Sequence, residues 1–277
     1  MTDSAAAASP AAAPAVSRPE PWVIETREGG VAVLTLNNPA QMNALAFELM
    51  TALHDAFRRA EADPEVRAIL VTGAGRGFCA GAQFGGPTFG QGAAIGERIR
   101  TGINPLIAAM NASAKPVVTA VNGPAAGAGV GLALAGDIAV AGRSALFLLS
   151  FARLGAALDG GTSWAVQRAV GSARARGLAL LAHRLDGQAA ADWGLVWKCV
   201  EDAALMDEAM AIARQLADGP PVSLALIKGQ IEGARVSSLA EALEAEAEAQ
   251  AAAFVTEDLR EGAAAFVEKR KPVFRGR

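Results

Sequence analysis

Two turns rich in glycine and alanine combine residue types and a spacing that could stabilise a negative charge. They cover residues 77–82 (GFCAGA) and 123–129 (GPAAGAG), and each follows an apolar β-branched run and opens a helical stretch. Without large side chains, a carbonyl group can approach the backbone N–H groups of such turns closely. The partial positive charge of a helix N-terminus favours an anion at the same place. The pair of turns therefore predicts an oxyanion hole.

One carboxylate could exchange protons with a substrate held in such a hole. Asp159 precedes two glycines and Thr162, and apolar surroundings formed by Phe151, Leu154 and Leu158 would raise the pKa of its carboxyl. A single carboxylate is sufficient to take a proton from one carbon and return it to another. Asp159 is therefore the predicted catalytic residue, although an aspartate in this context is also typical of a helix N-cap.

The elements that would position these turns alternate between strands and helices. β-branched, apolar runs predict strands over residues 31–36, 66–72, 116–121 and 137–141, and helical periodicity covers residues 45–62. Two of the strands lead directly into the two turns. Repeated strand-turn-helix units are typical of an α/β fold in which helices cover a parallel sheet.

The composition and the predicted secondary structure change along the chain. Residues 1–19 are rich in alanine and proline and are expected to form a disordered N-terminal extension. Residues 20–200 are expected to form the α/β core, and residues 201–277 a helical C-terminal region. From residue 160 onward, helical patterns cover residues 163–170, 172–182, 203–217, 222–234 and 239–254. The last of these helices has a thin apolar stripe, which suits packing on another subunit or exposure to solvent.

Composition and charge exclude several classes of protein. The 277 residues are 52% hydrophobic, enough to bury a core, and the net charge of -3 offers no general attraction to nucleic acid or anionic membranes. Cys79 and Cys199 do not form a spaced metal pair, and their small number fits a reducing compartment. Neither a signal peptide nor an apolar run of about 20 residues is found. We expect a cytoplasmic protein without metal, nucleic-acid or membrane partners.

Ordered blocks of the sequence resemble the enoyl-CoA hydratase/isomerase (crotonase) family over residues 20–277. The blocks are NNP and NAL at 37–39 and 43–45, GRGFCAGA at 75–82, the stretch 115–129, GDI at 136–138, DGGT at 159–162 and FVEKR at 266–270. The resemblance implies a crotonase-like spiral of β-β-α units with a helical C-terminal trimerisation region. It also implies an acyl-CoA substrate, a homotrimer or hexamer, and no prosthetic group, since coenzyme A enters only as part of the thioester.

The resemblance assigns roles to backbone groups and to one side chain in the chemical step. The two amides of the oxyanion hole would be those of Ala82 and Ala128, which agrees with the interpretation of the two turns. Related isomerases carry a catalytic aspartate at the position of Asp159. In this family the hole stabilises the enolate that forms on the thioester oxygen.

Further residues would bind coenzyme A. By the resemblance, the backbone around Ala44, Ala80 and Ala82 borders the nucleotide and pantetheine. Phe266 and Lys269 would reach the nucleotide from a neighbouring subunit. A lysine is a suitable phosphate partner because it is a flexible point charge.

The predicted substrate pocket distinguishes this chain from family members that add water. Those members hold the water between two glutamates, at the positions of Gly131 and Phe151 in this sequence. Neither residue can accept or donate a proton in the reaction. Leu154 is the third residue of the predicted substrate pocket, beside Gly131 and Phe151. An acyl-CoA isomerase that uses Asp159 as its proton shuttle is the most economical interpretation. A hydratase or acyl-CoA hydrolase using Asp159 alone, or a noncatalytic acyl-CoA binder, remains open.

Within the family, the chain resembles most closely the ring-epoxyphenylacetyl-CoA isomerase-like members. Shared stretches are 75–81, 104–106, 125–129, 175–181 and 193–197. Those enzymes also lack the two glutamates and keep the aspartate. The chain departs from them with Ala82-Gln83 where Gln-Asp is typical, and with Leu158 where proline is typical. A role in fatty acid or phenylacetate degradation follows from the resemblance.

Overall fold

The computed structural model describes residues 21–83 and 92–277, so the predicted disordered segment 1–19 lies outside the described residues. The strands form a main sheet in the order β1-β2-β3-β4-β6-β9 and a smaller sheet in the order β5-β7-β8. Their bounds are β1 Val23–Glu28, β2 Val31–Leu36, β3 Ala68–Gly73, β4 Val117–Val121, β5 Pro124–Ala126, β6 Ile138–Gly142, β7 Leu146–Leu148, β8 Arg184–Asp186 and β9 Lys198–Val200.

The helices alternate with strands in the first half of the chain and follow one another at the C-terminus. A Gly171 with φ of 76° interrupts α5, at the break that the sequence predicts between residues 170 and 172. The helix bounds are α1 Phe47–Ala62, α2 Gly92–Thr101, α3 Ile103–Ala112, α4 Ala128–Leu134, α5 Thr162–Leu180, α6 Gly187–Asp192, α7 Leu205–Ala217, α8 Pro221–Ala234, α9 Leu239–Phe254 and α10 Glu257–Glu268.

Parallel pairing brings the two predicted turns to one edge of the main sheet. Strands β2, β3, β4, β6 and β9 pair in parallel, and only the first hairpin, between β1 and β2, is antiparallel in this sheet. Thr72 of β3 is paired with Ala120 of β4, so the two strands end side by side. The residues that follow them carry the turns. The predicted parallel sheet covered by helices is confirmed.

The expectation that the chain is helical from residue 160 onward is wrong at β8 and β9. β9 pairs with β6, with Val140 opposite Lys198, and β8 pairs with β7. Each of these strands has three residues, too few to show an alternating pattern. Tertiary pairing with strands distant in sequence determines their conformation.

Both faces of the main sheet are buried. Alternate residues of a strand point to opposite faces, and in β3 Ile69 and Val71 join the core cluster that contains the buried side of α1. Ala68 and Leu70 join a second cluster with α7, which therefore covers the other face. The predicted division at residue 200 stays a prediction, but α7, which was assigned to the C-terminal region, packs on the α/β sheet.

The last three helices expose much apolar surface. Neither α8 nor α9 buries a residue within the described parts of the chain. Large apolar side chains on these helices are exposed, among them Ile227, Ile231, Leu239, Leu243 and Phe254. The expected packing of the C-terminal region on another subunit stays a prediction. In the described ranges, no helix has the length and apolar character to cross a membrane.

Candidate active site

A buried asparagine holds the first glycine turn in place. Asn43 is fully buried, and its Oδ1 accepts the Asn38 N–H at 2.8 Å. Its Nδ2 donates to the carbonyl oxygens of Ala74 at 3.0 Å and Gly77 at 2.8 Å. The residue has φ of 56°, in the left-handed region that asparagine adopts more readily than most residues. Asn43 therefore fastens the start of the turn to the chain segment before α1.

We expect Asn43→Ala to lower the free energy of unfolding by about 1–3 kcal/mol, because it leaves a buried amide and buried carbonyls without partners. Urea denaturation would measure the change. Asn37→Ala is a suitable control, since the Asn37 side chain makes one exposed hydrogen bond, to the Pro21 carbonyl. Equal loss in both variants would contradict the role assigned to the Asn43 contacts.

The two turns are in direct contact. Cys79 in the first turn forms a parallel bridge with Ala125 in the second. The Ala126 N–H donates to the Cys79 carbonyl at 2.9 Å, and the Cys79 N–H donates to the Pro124 carbonyl at 3.1 Å. Backbone hydrogen bonds thus join two segments that lie more than 40 residues apart in the sequence.

Glycine is required where the turns approach each other most closely. Gly81 has φ of 84°, and a Cβ added to it would overlap the Ala126 carbonyl oxygen and lie 3.5 Å from the Ala128 amide nitrogen. Gly127 has φ of 52° and forms the N-cap of α4, so Ala128 is the first residue of that helix. The backbone that leads into the Ala82 amide therefore lies against the Ala128 amide.

Both predicted donors keep their hydrogens free within the described chain. Across residues 21–83 and 92–277, neither the Ala82 nor the Ala128 N–H donates to a protein acceptor. For Ala128 the reason is general, since the first N–H groups of a helix have no intrahelical acceptor. Ala128 is 3% exposed and Ala82 is exposed. Two unpaired donors on touching turns form an arrangement that can hold an oxyanion.

Asp159 lies next to this arrangement and is not a helix cap. The N-cap of α5 is Gly161, without a side-chain cap bond, and Thr162 bonds to the Asp159 backbone carbonyl. The N-cap alternative is therefore wrong. Asp159 Oδ1 is buried and has no hydrogen-bond partner in the described part of the chain. A Cβ added to the following residue, Gly160, would lie 3.0 Å from Ala128 Cβ.

Loss of hydration on burial shifts the pKa of the Asp159 carboxyl. Burial raises the pKa of Asp159 above the ordinary value for aspartate, and no cation offsets the effect within the described residues. Leu154 and Leu158 expose 52% and 37% of their surface, so within one chain they do not enclose the carboxyl as expected. Phe151 is buried, and its Cζ would lie 3.7 Å from a Cβ added to Gly127.

The residues of the predicted pocket lie in different surroundings. Gly131 is buried in α4, where an added Cβ would overlap the Gly160 carbonyl oxygen. Phe151 packs beside the second turn, whereas Leu154 is exposed. Gly131 and Phe151 therefore lie close to Ala128, one in the same helix and the other beside Gly127, whereas Leu154 is half-exposed within one chain. Their role in a pocket stays a prediction.

The predicted coenzyme A contacts divide into two groups. Ala44, Ala80 and Ala82 are close together: the Ala80 N–H donates to Met42 O at 2.9 Å, and Leu45, which follows Ala44, is bridged to Ala82. They lie at the edge of the sheet where the two turns meet.

Phe266 and Lys269 belong to the opposite edge of the sheet. The segment after α10 is fastened there, because Arg67, directly before β3, donates from Nη1 to the Phe274 carbonyl at 2.8 Å. Lys271 pairs with Asp218 at 2.9 Å, at the end of α7. Phe266 is 85% exposed. The contact of these residues with coenzyme A bound to a neighbouring subunit stays a prediction.

Gly160 is the residue of this region that the sequence did not assign to the site. Its carbonyl and α-carbon pack on α4 directly beside the first helical residue. The available signal was the glycine pair after Asp159, since paired glycines allow close backbone approach. Within residues 21–83 and 92–277, no group of three or more His, Cys, Asp or Glu residues could hold a metal ion.

Known proteins are similar to this chain in sequence and architecture. Residues 26–277 match the family model described as enoyl-CoA hydratase/isomerase. The chain is 42% identical over 260 residues to 1,2-epoxyphenylacetyl-CoA isomerase of Escherichia coli (strain K12), which covers 92% of this chain and 99% of that protein.

Solved structures of similar proteins superpose over nearly their whole length. An enoyl-CoA hydratase from Polaromonas sp. JS666 is 36% identical with a TM-score of 0.83, covering 91% of this chain and 99% of that chain. An enoyl-CoA hydratase from Bacillus anthracis is 28% identical with a TM-score of 0.87, covering 92% of this chain and 100% of that chain.

Proposed function

The chain belongs to the enoyl-CoA hydratase/isomerase family and has its crotonase fold, and we propose that it is an acyl-CoA isomerase. The family acts on acyl-CoA thioesters. In the proposed reaction the Ala82 and Ala128 amides donate hydrogen bonds to the thioester oxygen. Asp159 removes a proton from C2 of a 3-enoyl group, and the electrons move onto that oxygen as an enolate. The same carboxyl then returns the proton to C4, which leaves a 2-enoyl thioester.

The observation that carries this proposal is the Asp159 carboxyl, whose buried Oδ1 has no hydrogen-bond partner among the described residues and whose neighbour in sequence, Gly160, lies against Ala128. A carboxylate that lacks hydrogen-bond donors and full hydration is a stronger base than one in water, because its charge is poorly stabilised. The backbone amides that would donate hydrogen bonds to the developing oxyanion lie on the neighbouring turns. One base and one oxyanion hole are sufficient for a proton shuttle.

The lack of a carboxylate at positions 131 and 151 favours isomerisation over hydration. Gly131 and Phe151 occupy the positions at which family members that add water carry glutamates, and neither side chain can activate water. A 1,2-epoxyphenylacetyl-CoA isomerase is among the similar proteins, which supports an isomerase and suggests an aromatic-ring-derived acyl group as one substrate class.

A pair of substrates tests the proposal. Purified protein would be incubated with a 3-enoyl-CoA and, separately, with a 2-enoyl-CoA, and the products would be separated by liquid chromatography and mass spectrometry. We expect conversion of the 3-enoyl to the 2-enoyl thioester and no 3-hydroxyacyl product. A ring-epoxide acyl-CoA in the same panel tests the narrower substrate class. Water addition as the main reaction would contradict the proposal.

A hydratase or hydrolase that uses Asp159 alone is the second candidate. The names of the Polaromonas and Bacillus proteins, both enoyl-CoA hydratases, favour it. A 3-hydroxyacyl product identifies the hydratase, and free thiol with carboxylic acid identifies the hydrolase. Tight binding of an acyl-CoA without turnover would instead identify a noncatalytic binder.

We expect the rate to depend on the ionisation of Asp159. The base must be ionised to take the first proton, so kcat/KM should fall with decreasing pH through the raised pKa of this carboxyl. The acid limb of a plot of kcat/KM against pH should therefore lie above the pH at which an ordinary aspartate titrates. A limb at the ordinary value would contradict the assignment of Asp159 as the base.

We also propose a homotrimer, alone or stacked as a hexamer, in a cytoplasmic setting and without a prosthetic group. The exposed apolar side chains of α8 and α9 support burial against other subunits. Phe266 and Lys269 of one subunit would then approach coenzyme A bound at the turns of the next. Light scattering coupled to size-exclusion chromatography measures the assembly, and a monomer would contradict this part of the proposal.

A further inference from the structure

The segment that carries Asp159 rests directly on α4, with no side chain between the two backbones. A Cβ added to Gly131 would overlap the Gly160 carbonyl oxygen, and it would lie 2.8 Å from the Gly160 carbonyl carbon and 3.3 Å from Thr162 Cγ2. Real Cβ atoms do not approach backbone this closely, so one of the two segments would have to move. Glycine is therefore the only residue type that fits at position 131 without a shift of the backbone.

The contact has a defined relation to both parts of the proposed machinery. Gly131 lies three residues after Ala128, which is about one helical turn, so its position relative to the Ala128 amide is set by α4 itself. Gly160 is bonded directly to Asp159, and a Cβ added to it would meet Ala128 Cα at 3.1 Å. The contact between Gly131 and Gly160 therefore determines the distance between Asp159, the proposed base, and the Ala128 amide.

We propose that Gly131 is a positioning residue that seats the Asp159 carboxyl against the oxyanion hole. The inference rests on the proposed function and concerns the geometry of the same site. It gives Gly131 a role beyond the lack of a glutamate: the volume that any side chain at position 131 would need is occupied by the backbone of the Asp159 segment. A carboxylate at position 131 and the observed placement of Asp159 exclude each other in this backbone.

The test compares Gly131→Ala with Gly177→Ala. Gly177 lies in α5 beyond the break at Gly171, and a Cβ added there meets nothing within 4 Å, so the control adds the same methyl group to a helix without a clash. We expect Gly131→Ala to lower kcat for 3-enoyl-CoA isomerisation by about 10²-fold, since a shift of about 1 Å in a reacting group has an effect of this size. The dissociation constant for coenzyme A should change less than twofold, and Gly177→Ala should retain wild-type kcat.

A second readout separates positioning from general loss of structure. A displaced Asp159 carboxyl should regain hydration, so the acid limb of kcat/KM in Gly131→Ala should move toward the pH of an ordinary aspartate. Gly131→Glu is expected to lose isomerisation without gaining hydration. Wild-type kcat and an unmoved acid limb in folded Gly131→Ala, or efficient hydration by Gly131→Glu with isomerisation retained, would overturn the inference.

If Gly131→Ala does not fold, Gly160→Ala tests the adjoining contact between the Asp159 segment and α4. Its added carbon would be 3.0 Å from Ala128 Cβ, and alanine is also strained at the Gly160 φ of 57°, so the Asp159 segment would have to shift. We expect the same drop in kcat, and wild-type kcat would overturn the inference. If the wild-type protein itself does not isomerise any acyl-CoA, the proposed function fails. If the wild-type protein is active and the variants match it, only the role of Gly131 fails.

Discussion

Asp159→Asn should lower kcat for isomerisation of a 3-enoyl-CoA by about 10²–10⁴-fold, the usual contribution of a positioned general base. Asparagine has nearly the same shape as aspartate but cannot take the proton. The Asp159 side chain makes no hydrogen bond through Oδ1 in the described part of the chain, so the substitution breaks no contact there. Steady-state kinetics with the 3-enoyl thioester would measure the loss.

The stability of this variant separates a catalytic from a structural role. Because burial raises the pKa of Asp159, the folded state binds more protons than the unfolded state between the ordinary and the raised value. The free energy of unfolding therefore falls as the pH rises through this interval. Above the raised pKa the wild-type protein carries the cost of an ionised, partly buried carboxylate, which asparagine removes. We expect a melting temperature equal to or above that of the wild type.

Two controls complete the experiment. Asp55→Asn changes an exposed aspartate on α1 in the same chemical way, and it should keep wild-type kcat. Coenzyme A binding to Asp159→Asn, measured by calorimetry, should match the wild type. Unchanged turnover of every active substrate by Asp159→Asn would remove this residue from the mechanism.

Ala128→Pro should lower kcat by about 10²–10³-fold, the typical effect of losing one donor of an oxyanion hole. Proline removes the amide hydrogen, which no side-chain substitution can do. Ala128 is the first residue of α4, where proline is tolerated because its φ suits a helix and the N–H has no intrahelical acceptor. The preceding residue is Gly127, whose freedom at φ of 52° accommodates a following proline more readily than a residue with a side chain would.

Leu239→Pro is the matched control for this change. Leu239 is the first residue of α9 and is 76% exposed, so the same substitution is made at the same helix position away from the turns. It should keep kcat within about twofold, because the first N–H of a helix contributes no intrahelical bond. Since Leu239 belongs to the exposed apolar surface of α9, light scattering would show that this variant keeps the wild-type assembly. Circular dichroism would show that both variants fold. Wild-type kcat in folded Ala128→Pro would exclude the Ala128 amide from the reaction.

Local patterns were sufficient to predict the main parallel sheet and the helices that follow one another at the C-terminus. The strands that become β2, β3, β4 and β6 are continuous apolar runs, because both faces of their sheet are buried. Helix α9 has the predicted bounds, from Leu239 to Phe254, because Ser238 and Glu241 form a capping box at its start. In these elements the preference of the residues and the tertiary environment agree.

Short elements were not predictable in this way. β8 and β9 take their conformation from hydrogen bonds to β7 and β6, which lie far from them in sequence.

The placement of the long helix α7 was not predictable either. α7 was expected in a separate helical region, yet it covers one face of the sheet. Its apolar stripe shows that one side is buried but not which surface buries it.

The amino-acid sequence by itself determined the chemical groups available to this protein: two small-residue turns after neighbouring strands, one aspartate before a glycine pair, and no acid at positions 131 and 151. Only the tertiary structure decided that Gly81 lies against the Ala128 amide and that Gly160 lies against α4. The physical reason is that residue type and short-range spacing determine local conformation. Distances between segments far apart in sequence depend on how closely their backbones pack.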